Sequence, residues 1–294
     1  MADESKMDTL SPTVRDLAAV LPAAPLSRPD LESARREAVR LRLAGYDGPG
    51  WSPALRARFG YYTPDEHYEG LMLTLVETTT TWLDVGCGHQ LFPSNPRLAR
   101  LLADRCRLLV GLDPSDNIDR NVYVHERAKC LLEDYRTEHR FDLISMRMVA
   151  EHVTDPEGMV AALARLTKPG GRVVVYTVSK WSPASLVAAM TPMAVHHAVK
   201  RRLWGAAPED TFPTAYRMNT RGTLRRLFGA AGFGEEQFHR LADCRSFGRW
   251  QATLAAELAL WRVLSALGIP YPEACLLGVY RRLSDAGAPS ETIG

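Results

Sequence analysis

Two hundred and ninety-four residues, 46% of them hydrophobic and 24% charged, can bury a substantial core, which excludes a disordered tail and a disulfide-stapled miniprotein. With 36 Lys and Arg against 34 Asp and Glu, the net charge of +2 gives no electrostatic case for nucleic acid or an acidic membrane as partner.

The first eighty residues read as an appendage, with Pro-rich punctuation at 21–30 and then a charged helical stretch at 31–43 that stops at Gly45 and the turn Asp47-Gly-Pro-Gly50. From Thr81 short apolar runs alternate with longer amphipathic ones, the pattern of βα units around a parallel sheet. The strands expected are 82–85, 108–112, 122–125, 141–146 and 172–178. The crossovers fall at 95–103, a short turn after Ser115, a poorly patterned stretch near 129–135, and 156–167. The last is the clearest helix, with Asp155 as cap, Pro156 at its first position and Lys168-Pro-Gly-Gly171 as its stop. Residues 181–216 break the alternation with several prolines and read as an insertion over one end of the sheet. A helix at 220–231 capped near Asn219, a strand at 237–241, a helix at 251–267 and a strand at 274–282 complete the chain.

The cysteines Cys87, Cys106, Cys130, Cys244 and Cys275 form no C-x-x-C pair and have no His at metal-ligand spacing. They read as reduced thiols of a cytoplasmic protein. No basic leader followed by an apolar run is present, and no run approaches the ~18 apolar residues of a membrane helix, so neither secretion nor membrane insertion is expected.

The chemistry concentrates at Trp82-Leu-Asp-Val-Gly-Cys-Gly-His89, where a buried strand ends in an acid and two glycines. In an open α/β sheet, ligands bind at the carboxyl ends of strands, and glycine lets backbone approach a ligand without a Cβ clash. Twenty-seven positions after Gly86, the second strand ends in Asp113, a carboxylate placed to accept both hydroxyls of a ribose. The dinucleotide fingerprint requires a third glycine where this chain has Leu91, which disfavours a pyrophosphate and suits a nucleoside carrying an amino-acid tail.

Leu83-Asp-Val-Gly-Cys-Gly88, Val110-Gly-Leu-Asp113, Phe141-Asp-Leu-Ile144, Glu151-His-Val153 and Leu166-Thr-Lys-Pro-Gly-Gly171 resemble, in order and spacing, the successive motifs of class I S-adenosylmethionine-dependent methyltransferases. The resemblance covers about residues 80 to 240. It implies an α/β fold, a doubly wound, mostly parallel seven-stranded sheet of Rossmann-like form with the last strand antiparallel. It also implies an N-terminal helical cap over 1–80, a methyltransferase domain over 81–294, a cap insertion at 181–216, and S-adenosylmethionine as cofactor over the first four strand ends. Carried across, Asp84, Gly86, Cys87 and Gly88 border the methionine part, and Asp113 and Pro114 the ribose. Glu126 and Ala128, in a third-strand motif that departs from the family's usual Gly-Asp-Ala, are the adenine neighbours. Arg147 and Met148 stand at the cofactor edge, and Tyr62, with Tyr61 beside it, either reaches the cofactor or substrate from the preceding helical region or packs in the core.

Imidazole titrates near neutrality, so a His after the fourth strand can take a proton from a hydroxyl as it attacks the methyl group. His152 is that candidate, Glu151 beside it a second, and His197 in the insertion a third. The structural alternatives are that His152 packs and caps the next helix, that Glu151 merely orients a neighbour, and that His196, His197, Lys200, Arg201 and Arg202 form a solvated basic face. Tyr216 and Arg217 rejoin the insertion to the sheet and face either the site or solvent. The acceptor expected is a small apolar or aromatic metabolite, with O-methylation favoured by analogy; N- or C-methylation, a homodimer and a non-catalytic binding role stay open, and an NAD-dependent oxidoreductase is the rival from another class. No carboxylate cluster calls for a metal.

Overall fold

The computed structural model describes residues 30–43, 53–183, 185, 214–244 and 251–283. The chain divides into two compact units, one of Met1–Glu77, Gln90–Arg105 and Ala242–Tyr271, the other of Thr78–His89, Cys106–Leu241 and Pro272–Gly294.

In the second unit β1 (Thr81–Val85), β2 (Leu108–Leu112), β3 (Glu126–Ala128), β4 (Phe141–Arg147), β5 (Thr167–Val178), β6 (Phe233–Ala242) and β7 (Glu273–Arg282) form one sheet in the order β3-β2-β1-β4-β5-β7-β6. The pairings from β3 through β5 are parallel, and β7 runs antiparallel to β5. The expected α/β sheet, with its antiparallel last strand, is therefore present. The chain begins at central β1, travels outward to β3 and then crosses back to β4 on β1's other side. That reversal leaves a crevice at the carboxyl ends of β1 and β4, the place where open α/β sheets bind ligands.

Strand β1 is buried at every position because it lies between two neighbours, and its Trp-Leu-Asp-Val run is apolar apart from one acid. Leu83, Val85, Ile144, Met146, Val173 and Val175 face Met159, Val160, Leu163 and Leu166 of a helix at Pro156–Leu166 and Leu224, Leu227 and Phe228 of one at Arg221–Ala230, in a single core. Phe228 stacks on Tyr280 with ring centroids 4.1 Å apart. The helix at Pro156–Leu166 starts as the sequence reading expects: Asp155 caps it by accepting from Gly158 N–H at 3.1 Å, and Pro156 occupies the first turn. At the amino end of the sheet, Asp142 accepts from Thr81 N at 2.9 Å, Thr81 Oγ1 at 2.6 Å and Lys168 Nζ at 2.8 Å, tying β1, β4 and β5 together opposite the crevice. Partial burial works to raise the Asp142 carboxyl, but these bonds hold it below the usual carboxylate value.

Three strands start well away from their expected bounds. The sixth begins at Phe233 and not at 237, directly after Gly232. The third starts at Glu126 and not at 122, because residues 121–125 spend their hydrogen bonds differently. Asn121 anchors the glycine loop, and His125 donates its N–H to Leu109 O at 2.9 Å while its Nδ1 accepts from Leu109 N at 3.0 Å. The imidazole thus replaces a strand carbonyl, and regular pairing starts only at Val110 with Glu126. Strand β5 starts at Thr167, before the predicted 172, and Lys168-Pro-Gly-Gly171 is absorbed as an irregularity between the Phe141–Thr167 and Leu143–Arg172 pairs. The crossover near 129–135 forms no helix, and the turn after Ser115 is a 3₁₀ turn over Asp116–Arg120.

The described part of the first unit comprises α1 (Leu31–Leu43), α2 (Pro53–Phe59), α3 (Pro64–Leu75), α4 (Pro96–Arg105) and α7 (Gln251–Ala266), the Pro156–Leu166 and Arg221–Ala230 helices being α5 and α6. Thr63 and Glu66 form a capping box at the start of α3, and Glu66 also takes a buried two-pronged contact from Arg56 at 2.9 and 3.0 Å. Asn95 caps α4 through Leu98 N–H and donates to Ala38 O and Glu69 Oε2, joining α4 to α1 and α3. Burial pushes Glu69 up to about 7 against the opposing pull of Arg42, whose Nη2 lies 2.5 Å away. Among the described residues no helix is long and apolar enough to cross a membrane.

Candidate active site

The carboxyl ends of β1 and β2 bring together the two acids singled out in the sequence. Asp84, on β1, is 4% exposed, and its Oδ1 accepts from Ser145 Oγ at 2.5 Å. Burial pushes its carboxyl up to about 7, a nearby Asp113 charge acts in the same sense, and the Ser145 bond and Arg147 oppose them. Asp113 follows β2. Its Oδ2 accepts from Gly88 N–H at 2.9 Å, and its Oδ1 accepts from Ser115 N at 2.9 Å and Ser115 Oγ at 2.6 Å. The second acid therefore holds the glycine loop that the first acid opens.

That loop turns because Gly86 has φ of 69° and Gly88 of 47°, both in the left-handed region. At Gly86 there is also no room: a Cβ would lie 2.3 Å from Val149 Cγ2. At Gly88 no atom lies within 4 Å of where a Cβ would stand, so its face is open. Gly86→Ala is accordingly expected to destabilise the folded chain by about 1–3 kcal/mol, read as a lowered melting temperature, through strain plus clash; an unchanged melting temperature would remove the argument that the loop needs this conformation. Buried Asn121 secures the other side of the loop, donating to Gly88 O at 3.1 Å and Cys87 O at 3.4 Å. Cys87 is buried, and desolvation with Asp84 and Asp113 nearby pushes its thiol well up, so it stays a neutral thiol there.

The other expected cofactor residues distribute as follows. Ala128 closes β3, and its carbonyl accepts from Asp113 N–H at 3.1 Å, which sets the end of β3 beside the second acid. Glu126 is exposed, with His139 Nε2 3.6 Å from its carboxylate, and Pro114 is exposed after Asp113. Arg147 ends β4, and Met148 follows it with φ of 53°, its N–H donated to Tyr176 O at 2.8 Å. A left-handed, non-glycine residue at a strand's carboxyl end marks a backbone held in place by its surroundings. Tyr62 belongs to the first unit, where its hydroxyl donates to Glu32 at 2.7 Å.

The turn after β4 carries Glu151 and His152. Glu151 is 5% exposed, and its Oε2 accepts from Thr177 Oγ1 at 2.6 Å. Thr177 in turn accepts from Asn219 Nδ2 at 2.8 Å, and the same amide nitrogen donates to Val178 O at 2.8 Å. Glu151 O accepts from Ala215 N at 2.7 Å and Tyr216 N at 3.1 Å, with Tyr216 itself at φ of 50°. Burial is the first cause raising the Glu151 carboxyl, with the Thr177 bond opposing it. His152 is half-buried, with its backbone N–H on Val149 O at 2.9 Å. Arg217 Nη1 donates to Thr154 O at 2.7 Å. His197, His196, Lys200, Arg201 and Arg202 lie outside the described residues. Among the described residues, no three His, Cys, Asp or Glu side chains group as a metal site.

Sequence reasoning missed Ser145, Asn121 and Thr177, and took Asn219 only for a cap. Ser145 carried a legible signal, a lone hydroxyl within the apolar run of β4.

A sheet that reverses direction beside a glycine loop, with one acid on each flanking strand end, defines a doubly wound α/β fold. The model of the methyltransferase domain family matches residues 42–236, and the chain belongs to that family. It is 34% identical over 116 residues to a ubiquinone biosynthesis O-methyltransferase of Thiobacillus denitrificans, covering 36% of this chain and 47% of that protein. A ubiquinone biosynthesis O-methyltransferase of Rhodopseudomonas palustris is 35% identical over 113 residues, covering 35% and 42%. The chain thus spans about half the length of the curated relatives it matches. Among solved structures, an S-adenosylmethionine-dependent methyltransferase from Mesorhizobium loti matches 80% of this chain and 99% of its own at 21% identity and a TM-score of 0.45. The N-methyltransferase NodS from Bradyrhizobium japonicum in complex with S-adenosyl-L-homocysteine matches 93% and 100% at 16% identity and a TM-score of 0.41.

Proposed function

We propose that the chain is a cytoplasmic S-adenosylmethionine-dependent O-methyltransferase acting on a small, apolar or aromatic acceptor. The observation that carries the reading is the pair of buried strand-end acids, Asp84 and Asp113, on either side of an open-faced glycine loop in a chain of the methyltransferase domain family. The relatives named O-methyltransferases support the choice of oxygen as the methylated atom.

When bound, the cofactor supplies a methyl group on a sulfonium, electrophilic enough that alignment with the acceptor accounts for much of the acceleration. Asp84 balances the charge of the methionine ammonium, Gly86 turns the loop against Val149, the open face of Gly88 leaves room for the methionine chain, and Cys87 lines it as a neutral thiol. Asp113 accepts from the ribose. A carboxylate offers about four acceptor positions; Ser115 and Gly88 use three, so one ribose hydroxyl finds Oδ2 ready and the second is accepted only if the Ser115 hydroxyl turns away. Pro114 and Ala128 lie beside the adenosine, Glu126 at its outer edge, and Arg147 and Met148 beside the reacting end. His152 takes the acceptor's hydroxyl proton, while Glu151, tied to Thr177, fixes the turn that presents it.

The test is a thermal-shift titration with S-adenosylhomocysteine, S-adenosylmethionine and NAD in parallel. A ligand at about a hundred times its dissociation constant stabilises the state it binds by about 2.7 kcal/mol, a shift of several degrees. Stabilisation by the first two alone is expected. Stabilisation by NAD alone would transfer the site to a dehydrogenase.

A further inference from the structure

Three side chains on one face of the sheet form a directed chain of hydrogen bonds. Asp84 pairs across the strands with Ser145, and Trp82, two residues before Asp84, projects from the same face. Trp82 Nε1 donates to Ser145 Oγ at 2.6 Å, and Ser145 Oγ lies 2.5 Å from Asp84 Oδ1. Trp82 and Ser145 are 0% exposed. An indole can only donate, so it occupies a lone pair of the serine oxygen and leaves the single hydroxyl proton to go to the carboxylate. On Asp84's other side the β2 partner is Gly111, which has no side chain to offer.

We infer that Ser145 is a positioning residue of the proposed cofactor site: Trp82 orients its hydroxyl onto Asp84, and that bond maintains the carboxylate that meets the cofactor's ammonium. The inference rests on the reading of the site as one for S-adenosylmethionine. A buried Ser among the apolar residues of β4 otherwise has a cost, since a hydroxyl taken out of water destabilises unless it is bonded. Here one bond is accepted from the Trp82 indole and the other is donated to the acid.

The electrostatic setting makes the bond measurable. Asp84 is faced by Ser145 and Arg147 from β4, Asp113 from the end of β2 and the Cys87 thiol from its own loop. Burial and Asp113 favour the protonated acid; Ser145 and Arg147 favour the carboxylate. With the balance struck at about 7, removing one of the two favourable partners changes the charge at neutral pH. Loss of Ser145 raises the Asp84 value further, so the carboxylate fraction at a given pH falls and tight cofactor binding retreats to higher pH. Far above both values the two proteins again carry the same charge.

The experiment measures S-adenosylhomocysteine affinity by calorimetry from about pH 5.5 to about pH 8.5, with a ¹³C titration of the Asp84 carboxyl in the ligand-free chain, for the native protein, Ser145→Ala and Ser145→Thr. In Ser145→Ala the midpoint is expected to move up by about one pH unit in both measurements, with affinity at neutral pH down by up to about tenfold and recovering toward the native value at the alkaline end. Ser145→Thr keeps the hydroxyl and is expected to follow the native curves. Should the alanine chain fail to fold, Ser145→Cys, a weaker donor of similar size, is expected to shift both midpoints in the same direction by less. A loss of affinity equal at every pH, or an Asp84 midpoint indifferent to all the substitutions, overturns the inference. If the native chain binds no S-adenosylhomocysteine at any pH, the cofactor reading fails, and the ligand-free titration still reports whether Ser145 governs Asp84.

Discussion

Asp113→Ala is expected to weaken S-adenosylhomocysteine binding by about 10- to 100-fold, the equivalent of about 1.5–3 kcal/mol for hydrogen bonds to a charged group. Two losses combine. The ribose loses its charged acceptor, and Gly88 N–H, now held by Asp113 Oδ2 at 2.9 Å, is released, so the loop loses its tie to the end of β2. Asp113→Asn separates them in part: its single oxygen still accepts from Gly88 and offers the ribose a weaker partner, while its amide nitrogen cannot accept from Ser115 N–H, so an intermediate affinity is expected. Ser115→Ala is the control in the other direction. It removes the hydroxyl that occupies Asp113 Oδ1 at 2.6 Å, freeing an acceptor position, and affinity is expected to hold or rise. Calorimetry on variants of native circular dichroism decides: unchanged affinity in Asp113→Ala would take the ribose away from this acid.

The sheet and its glycine loop were legible because their signals are local. A buried central strand reads as an apolar run, and Asp84, Gly86, Gly88 and Asp113 stand at strand ends where backbone geometry restricts the choice of residue. The partners of the supporting side chains were not legible, even where a lone hydroxyl such as Ser145 stands out in its strand, since each acts across strands far apart in sequence. Ser145 touches Trp82 and Asp84 about sixty residues away, Asn121 reaches the Cys87 and Gly88 carbonyls, and Asn219 reaches Thr177. Nothing in the local pattern says which buried hydroxyl or amide finds which partner. The third strand misled for a related reason: 122–125 has strand-like composition, yet the His125 ring takes over the backbone bond of Leu109, and pairing is displaced to Glu126. Helices α4 and α7 likewise gave no sequence sign that they group with the N-terminal helices, because amphipathic spacing shows that a face is buried and not against what.

His152→Ala is expected to slow methyl transfer to a phenolic hydroxyl by about 10²- to 10⁴-fold, the usual contribution of a positioned general base, while S-adenosylhomocysteine affinity stays at the native value. The turn that carries it is held from several directions. Met148 N–H is bound to Tyr176 O, Glu151 Oε2 receives Thr177 Oγ1, and Glu151 O receives the amides of Ala215 and Tyr216. Because Glu151 is buried and raised by desolvation, its role in this scheme is to anchor, so Glu151→Gln, which can still accept from Thr177, is expected to retain most of the rate. Acceptor acidity supplies the discriminating readout. A hydroxyl that ionises in solution arrives without its proton and needs no base, so across a series of substituted phenols the gap between His152→Ala and the native protein narrows as the phenol becomes more acidic. A gap independent of acidity would mean that the imidazole shapes the pocket, and a native rate in His152→Ala alongside a slow His197→Ala would move the base into the insertion.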